Sequence, residues 1–204
     1  MSSLFKVVIS CGLIAGCGTT PEDSVTPNTE QQALSAPTIM STGSSSATTL
    51  NSARGSGLLV NGGTEAGAFA LVRYRAGVAG PQTTAEFTVT PAAGAAFVFM
   101  LTGSGTRYST KQLPIKREPD STQLVAVSTN GYVECGDVAS GAATHISLMF
   151  DATSKTFDVL LDGAATPCTD LRTTLQPPVV GFAIQDAANE GYGGKVEFDD
   201  LTVF

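Results

Sequence analysis

The sequence predicts an all-β antiparallel sandwich or barrel, and three observations predict it. Short apolar runs alternate with polar residues at a period of two, Gly, Asn and Asp pairs punctuate them, and no window carries a 3.6-residue apolar stripe. Alternation turns one side of an extended chain to a core and the other to solvent. The runs start near Leu58 and continue to Phe204. About 150 residues of such chain bury roughly 70% of their unfolded surface, so one core suffices.

The N-terminus reads differently. Lys6 is the only charge ahead of the apolar run Val7-Val8-Ile9-Ser10-Cys11-Gly12-Leu13-Ile14-Ala15-Gly16. A run of about ten residues suits the core of a signal peptide and falls short of the roughly 20 needed to span a bilayer. It ends in Leu13-Ile14-Ala15-Gly16-Cys17, which resembles the bacterial lipobox. The resemblance implies that residues 1–16 are a signal peptide and that Cys17 becomes a lipidated N-terminus. Two or three acyl chains, at about 0.8 kcal/mol per buried methylene, anchor stably where one would not. Gly18, in place of the Asp that retains many lipoproteins at the inner membrane, implies the outer membrane of a bacterial cell envelope.

Residues 17–57 read as a tether. Gly18-Thr19-Thr20-Pro21-Glu22-Asp23 opens it, Ser41-Thr42-Gly43-Ser44-Ser45-Ser46-Ala47-Thr48-Thr49 lies near its end, and residues 18–50 hold no Lys or Arg. Such a composition buries too little apolar area to offset chain entropy. Residues 58–204 are then the folded domain, and Leu34 to Met40 could pack onto it.

Within the domain, Phe87-Thr88-Val89-Thr90 keeps its apolar residues on one parity. Ala95–Leu101 and Val179–Ile184 are apolar on both faces and suit central strands. Tyr132-Val133-Glu134 reads as a further strand. In Thr144–Asp151 the residues Ile146, Leu148 and Phe150 share a face, and in Phe157–Asp162 so do Phe157, Val159 and Leu161. Gly103-Ser104-Gly105, Asn130-Gly131, Asp162-Gly163 and Gly191-Tyr192-Gly193-Gly194 mark turns. In the last strand the apolar parity runs Val196, Phe198, then Leu201, Val203, so an extra residue at Asp199-Asp200 predicts a β-bulge.

Thr144–Asp151 followed by Phe157-Asp158-Val159-Leu160-Leu161-Asp162-Gly163 resembles a hairpin of the concanavalin A-like lectin/glucanase superfamily, especially its laminin G-like and pentraxin-like jelly rolls. Val180-Gly181-Phe182 and the closing run Lys195–Phe204 extend the likeness over roughly residues 84–204. The resemblance implies two curved antiparallel sheets face to face, with the terminal strands close together. That superfamily holds glycosidases, lyases, lectins and modules without a known ligand, so function has to come from a site.

Four cysteines are present. Cys11 leaves with the signal peptide and Cys17 takes lipid, so Cys135 and Cys168 remain to pair in an oxidising compartment. A metal site is the weaker reading, because neither lies in a Cys-x-x-Cys and His145 is the single histidine. Eleven Lys and Arg against eighteen Asp and Glu give a net charge of −7, or −8 without Lys6. An acidic surface disfavours nucleic acid and anionic lipid as partners.

Glu197 and Asp199 match two positions of the Glu-x-Asp-x-x-Glu pattern of laminarinase-like enzymes, but Thr202 stands where the acid belongs, so no catalytic residue is assigned. Asp186, Asn189, Glu190 and Asp199 are the candidate ligands of a calcium ion, the one cofactor considered. The chain has four Tyr and no Trp. Tyr108, Tyr192 and Asn189 are the candidate ligand-binding residues, since sugar faces pack on rings beside hydrogen-bonding groups. The leading expectation is a lipid-anchored envelope protein with a jelly-roll module for a glycan or protein ligand. The alternatives are a polysaccharide-active glycosidase or lyase of the same fold, and a structural envelope component.

Overall fold

The computed structural model describes residues 34–52, 55–63, 68–77, 80–185 and 194–204. In chain order the elements are β1 (Thr38–Thr42), β2 (Ser46–Ser52), β3 (Gly55–Asn61), β4 (Phe69–Arg75), β5 (Gln82–Pro91) and β6 (Phe97–Gly103), then a single helical turn, α1 (Tyr108–Lys111). There follow β7 (Gln112–Arg117), β8 (Gln123–Ser128), β9 (Gly131–Asp137), β10 (Thr144–Asp151), β11 (Thr156–Leu161), β12 (Ala164–Ala165), β13 (Leu171–Arg172), β14 (Val179–Gln185) and β15 (Lys195–Val203).

The strands form two sheets in which neighbouring strands run antiparallel. One has the order β1-β4-β14-β6-β7-β8-β9, the other β12-β11-β10-β5-β15-β3-β2, with β13 also on β11. The expected antiparallel jelly-roll sandwich is the observed fold. The runs apolar on both faces, now β6 and β14, lie at the middle of the seven-stranded sheet. Phe97, Phe99, Leu101, Phe182 and Ile184 face the core, while Met100 and Ala183 turn outward against Leu71. In β5, β10 and β11 the expected parity holds: Phe87, Val89, Ile146, Leu148, Phe150, Phe157 and Val159 are all buried. Leu161 is partly buried and packed against the core.

A ladder of rings joins the sheets. Tyr74 stacks on Phe182 at 4.7 Å, Phe182 on Phe99 at 5.3 Å, and Phe99 on Phe87 of the opposite sheet at 4.4 Å. Phe87 then meets Phe198 at 5.8 Å, and Phe198 takes the edge of Phe97 at 5.6 Å. Removing one such ring to Ala costs about 3–5 kcal/mol, because the cavity does not fully collapse.

Three local features close the ends. Cys135 of β9 is disulfide-bonded to Cys168, with a Cα separation of 5.1 Å across 33 residues. The link ties the connection after β12 to the edge of the seven-stranded sheet; a loop of that length constrains the unfolded chain by about 3–4 kcal/mol on the entropic account. Arg117 is 1% exposed, with Nε donating to the carbonyl of Val138 at 3.0 Å, Nη2 to Ser140 Oγ at 2.8 Å and Nη1 to the carbonyl of Ala95. Three acceptors in place of a carboxylate satisfy this buried guanidinium. In β15, Asp199 lies opposite Thr88 and Thr202 opposite Glu86, so Asp200 and Leu201 face Phe87 alone. That is the expected bulge, and Asp200 has a φ of 54°, which Asp tolerates better than most residues.

The tether expectation for 17–57 needs correcting over its described part. Thr38–Thr42 pairs with β4 and Ser46–Ser52 pairs with β3, so the folded unit reaches back past Leu58 to Leu34, which packs on the core. Every β1 residue is exposed. An edge strand of this kind is held by backbone hydrogen bonds, which leave no apolar pattern to read. Cys17 and the signal peptide lie outside the described residues.

Truncating the chain to begin at Gly55 should lower the melting temperature by several degrees and promote association, because it uncovers the edges of β3 and β4. Thermal unfolding with light scattering checks this; an unchanged transition would return residues 34–52 to the status of a tether.

Candidate functional site

Alternation in β4 sends Ala70, Val72 and Tyr74 into the core, which leaves Leu71, Arg73 and Arg75 on the outer face of the seven-stranded sheet. The register carries this face across the neighbouring strands. Thr38 lies opposite Arg73, Ala183 next to it, then Met100 and Pro114. One row along, Arg75 is followed by Gly181, Thr102 and Gln112. Gly181 thus withdraws a side chain from between Arg75 and Thr102. It also sits at φ 153°, where a Cβ would fall on the carbonyl oxygen of Tyr74, so no other residue lets β14 approach β4 this closely. The register shift between Val179 and Gly181 leaves Val180 exposed on the same side.

These rows border a groove of about 820 Å³. One wall is Arg73 and Arg75 with the segment Ser35, Ala36 and Thr38, and the other is Thr102, Gln112 and Lys111. Ser35 fixes the first wall: its Oγ donates to the carbonyl of Arg75 at 3.1 Å and accepts from the Arg75 N–H at 3.1 Å. No carboxylate among the described residues borders the groove. The one ion pair among the described residues, Lys116–Glu118, lies elsewhere, so Arg73, Arg75 and Lys111 carry no acidic partner among them. Gln112 Oε1 is buried without a hydrogen-bond partner among the described residues, as is the Tyr74 hydroxyl. Burial pushes the Tyr74 pKa up, so this phenol stays neutral.

A smaller hollow of about 270 Å³ lies at the β5–β10–β11 end of the other sheet, with Asp151, Asp158 and Asp170 around it. Asp151 accepts the N–H groups of Thr153 at 2.7 Å and Ser154 at 3.2 Å, and these bonds hold its pKa below the usual range. Asp158 accepts the N–H of Asp170 at 2.6 Å. Asp151 and Asp158 are thus engaged by the backbone of neighbouring turns.

Most of the sequence-predicted ligand and metal residues lie outside the described residues. Tyr108 opens α1, the turn that delivers Lys111 to the groove, though its side chain lies outside the described atoms. Tyr192, Asn189, Asp186 and Glu190 fall in 186–193, outside the described residues. Asp199 stands four residues into β15, about 13 Å along the strand from Lys195, and its Oδ1 is buried without a partner among the described residues. No group of three His, Cys, Asp or Glu among the described residues could hold a metal ion. Glu197 is exposed, and the Asp199–Asp200 bulge breaks the strand before Thr202. His145 is half-buried, and its backbone N–H donates to Asp162 Oδ1 at 2.8 Å. Arg73, Arg75, Lys111, Thr102 and Gln112 are groove residues that the sequence reading missed. The signal available was Val72-Arg73-Tyr74-Arg75, apolar and cationic in alternation in a chain with eleven Lys and Arg.

No family model and no curated protein matches the sequence. Solved structures do match in fold. A sialidase aligns over 78% of the chain with a TM-score of 0.59 at 8% identity, and the chain spans 17% of that protein. The carbohydrate recognition domain of Emp46p aligns over 82% of the chain and 88% of its own length, with a TM-score of 0.54 at 10% identity. The cellulose-induced protein Cip1 aligns over 83% and 86%, with a TM-score of 0.53 at 11% identity. At such identities the likeness establishes the lectin-type jelly-roll fold.

Gly181→Ala should destabilise the chain by about 1–3 kcal/mol, through overlap with β4 and through a backbone angle that Ala resists. Denaturant unfolding measures it; a change within about 0.5 kcal/mol would show that the β4–β14 approach is not tight.

Proposed function

We propose that this protein is a lipid-anchored component of the bacterial cell envelope, in the outer membrane, whose jelly-roll domain binds a glycan in the groove on its seven-stranded sheet. The observation that carries the reading is the groove itself. Its volume of about 820 Å³ falls in the range of ligand sites. Its walls offer guanidinium, ammonium, amide and hydroxyl groups at fixed register positions, the set that hydroxyl-rich ligands hydrogen-bond. The fold likeness to a carbohydrate recognition domain adds weight, as a resemblance of scaffold. Among the described residues the groove holds no carboxylate pair, which favours binding over glycoside hydrolysis.

Anchoring rests on Leu13-Ile14-Ala15-Gly16-Cys17. No helix among the described residues is long and apolar enough to cross a membrane, so the lipid on Cys17 is the attachment proposed.

A glycan array probed with the full chain tests the binding reading. Thr102→Leu with Gln112→Leu keeps the groove filled and its charges intact while removing two hydrogen-bonding groups; affinity for the bound glycans should fall at least about tenfold. Unchanged binding by that variant would move the site elsewhere. In cells, Cys17→Ser should abolish labelling by a palmitate analogue, and a labelled band of undiminished strength would remove the anchor.

A further inference from the structure

We infer that the glycan taken by this groove is anionic, a saccharide bearing carboxylate or sulfate groups; this rests on the glycan-binding reading above. The net charge of −7 would by itself repel such a ligand, and the distribution of charge reverses the expectation locally. Of the described residues bordering the groove, three are cations, Arg73, Arg75 and Lys111, and none is an acid. The cations stand on both walls. Arg73 and Arg75 project from one strand about 6.6 Å apart along it, and Lys111 adjoins Gln112 three strands away, about 14 Å across the sheet.

The fold preserves these charges for a ligand. Strand parity is fixed by Val72 and Tyr74 in the core, so Arg73 and Arg75 cannot turn inward. The Ser35 hydroxyl engages both the N–H and the carbonyl of Arg75. Where a cation of this sheet meets an acid among the described residues, it is Lys116, beside Glu118 and over the Tyr132 ring at 4.8 Å. The groove cations have no such neighbour among the described residues. Clustered like charges repel one another, a cost that an anion relieves. A guanidinium presents two parallel N–H groups that match the two oxygens of a carboxylate or sulfate, and the groove offers two guanidiniums on one wall. Thr38, Thr102 and Gln112 are left for the neutral hydroxyls of the sugar.

Calorimetric titration of the full chain tests this with four probes: polygalacturonate, dextran sulfate, neutral dextran and inorganic polyphosphate. We expect at least one of the charged saccharides to bind, to weaken as salt rises, and to lose at least about tenfold in affinity with Arg73→Gln/Arg75→Gln. Lys155→Gln/Arg172→Gln, which removes two exposed charges from the other sheet, should leave that affinity within about twofold. Binding of neutral dextran that is indifferent to Arg73→Gln/Arg75→Gln would overturn the anionic assignment while glycan binding stood. Polyphosphate bound as tightly as the charged saccharides would overturn the saccharide class. Failure to bind any saccharide, with the array also blank, would overturn both.

Discussion

Tyr74, Phe182, Phe99 and Phe87 form a continuous stack from the seven-stranded sheet into the opposite one, and the outer surface follows from it. Each of the first three rings belongs to a strand whose side chains alternate between faces. Committing Tyr74 inward commits Arg73 and Arg75 outward; committing Phe182 inward puts Gly181 and Ala183 outward; committing Phe99 inward puts Met100 outward, and Leu101 does the same for Thr102. A slip of one residue in β4 would bury an arginine and expose a ring, and a slip in β14 or β6 would expose a ring. Core and groove are therefore two sides of the same parity, and the large apolar term on the inside fixes the polar arrangement on the outside.

Small residues let that arrangement become a concavity. Gly181 brings β14 against β4, and Ala183 fits between Leu71 and Met100 as a compact apolar patch next to the groove. The wall beyond β4 comes from a segment, Ser35 to Thr38, that contributes little to the core and is held largely by backbone and hydroxyl hydrogen bonds. An edge strand here serves two ends: it covers the open side of β4 and completes the groove.

The fold was legible in the sequence where hydrophobicity alternates. Phe87 and Val89, then Ile146, Leu148 and Phe150, then Phe157 and Val159, announce half-buried strands, and the switch of parity between Phe198 and Leu201 announces the bulge. Where burial does not decide the conformation, the sequence was silent. The strand Thr38–Thr42 is exposed on both faces, Ile39 and Met40 included, and is specified by the unpaired edge it meets, so it shows no alternation to read. The groove was hidden for another reason. Its residues come from positions 35–38, 73–75, 102, 111–112 and 180, and the sheet order β4-β14-β6 that unites them crosses about a hundred residues of chain. Arg73 and Arg75 look in isolation like a solvated strand face. Only the neighbour relations show that no acid among the described residues accompanies them.

The measurement closest to the central claim is a map of where ligand perturbs the protein. Amide chemical shifts, followed by NMR during titration with an acidic oligosaccharide, should move at Arg73, Arg75, Thr102, Gln112 and Gly181 and stay fixed around Met149, Asp151 and Asp158 on the other sheet. Shifts concentrated on the β5–β10–β11 side, with the groove amides unmoved, would contradict the account.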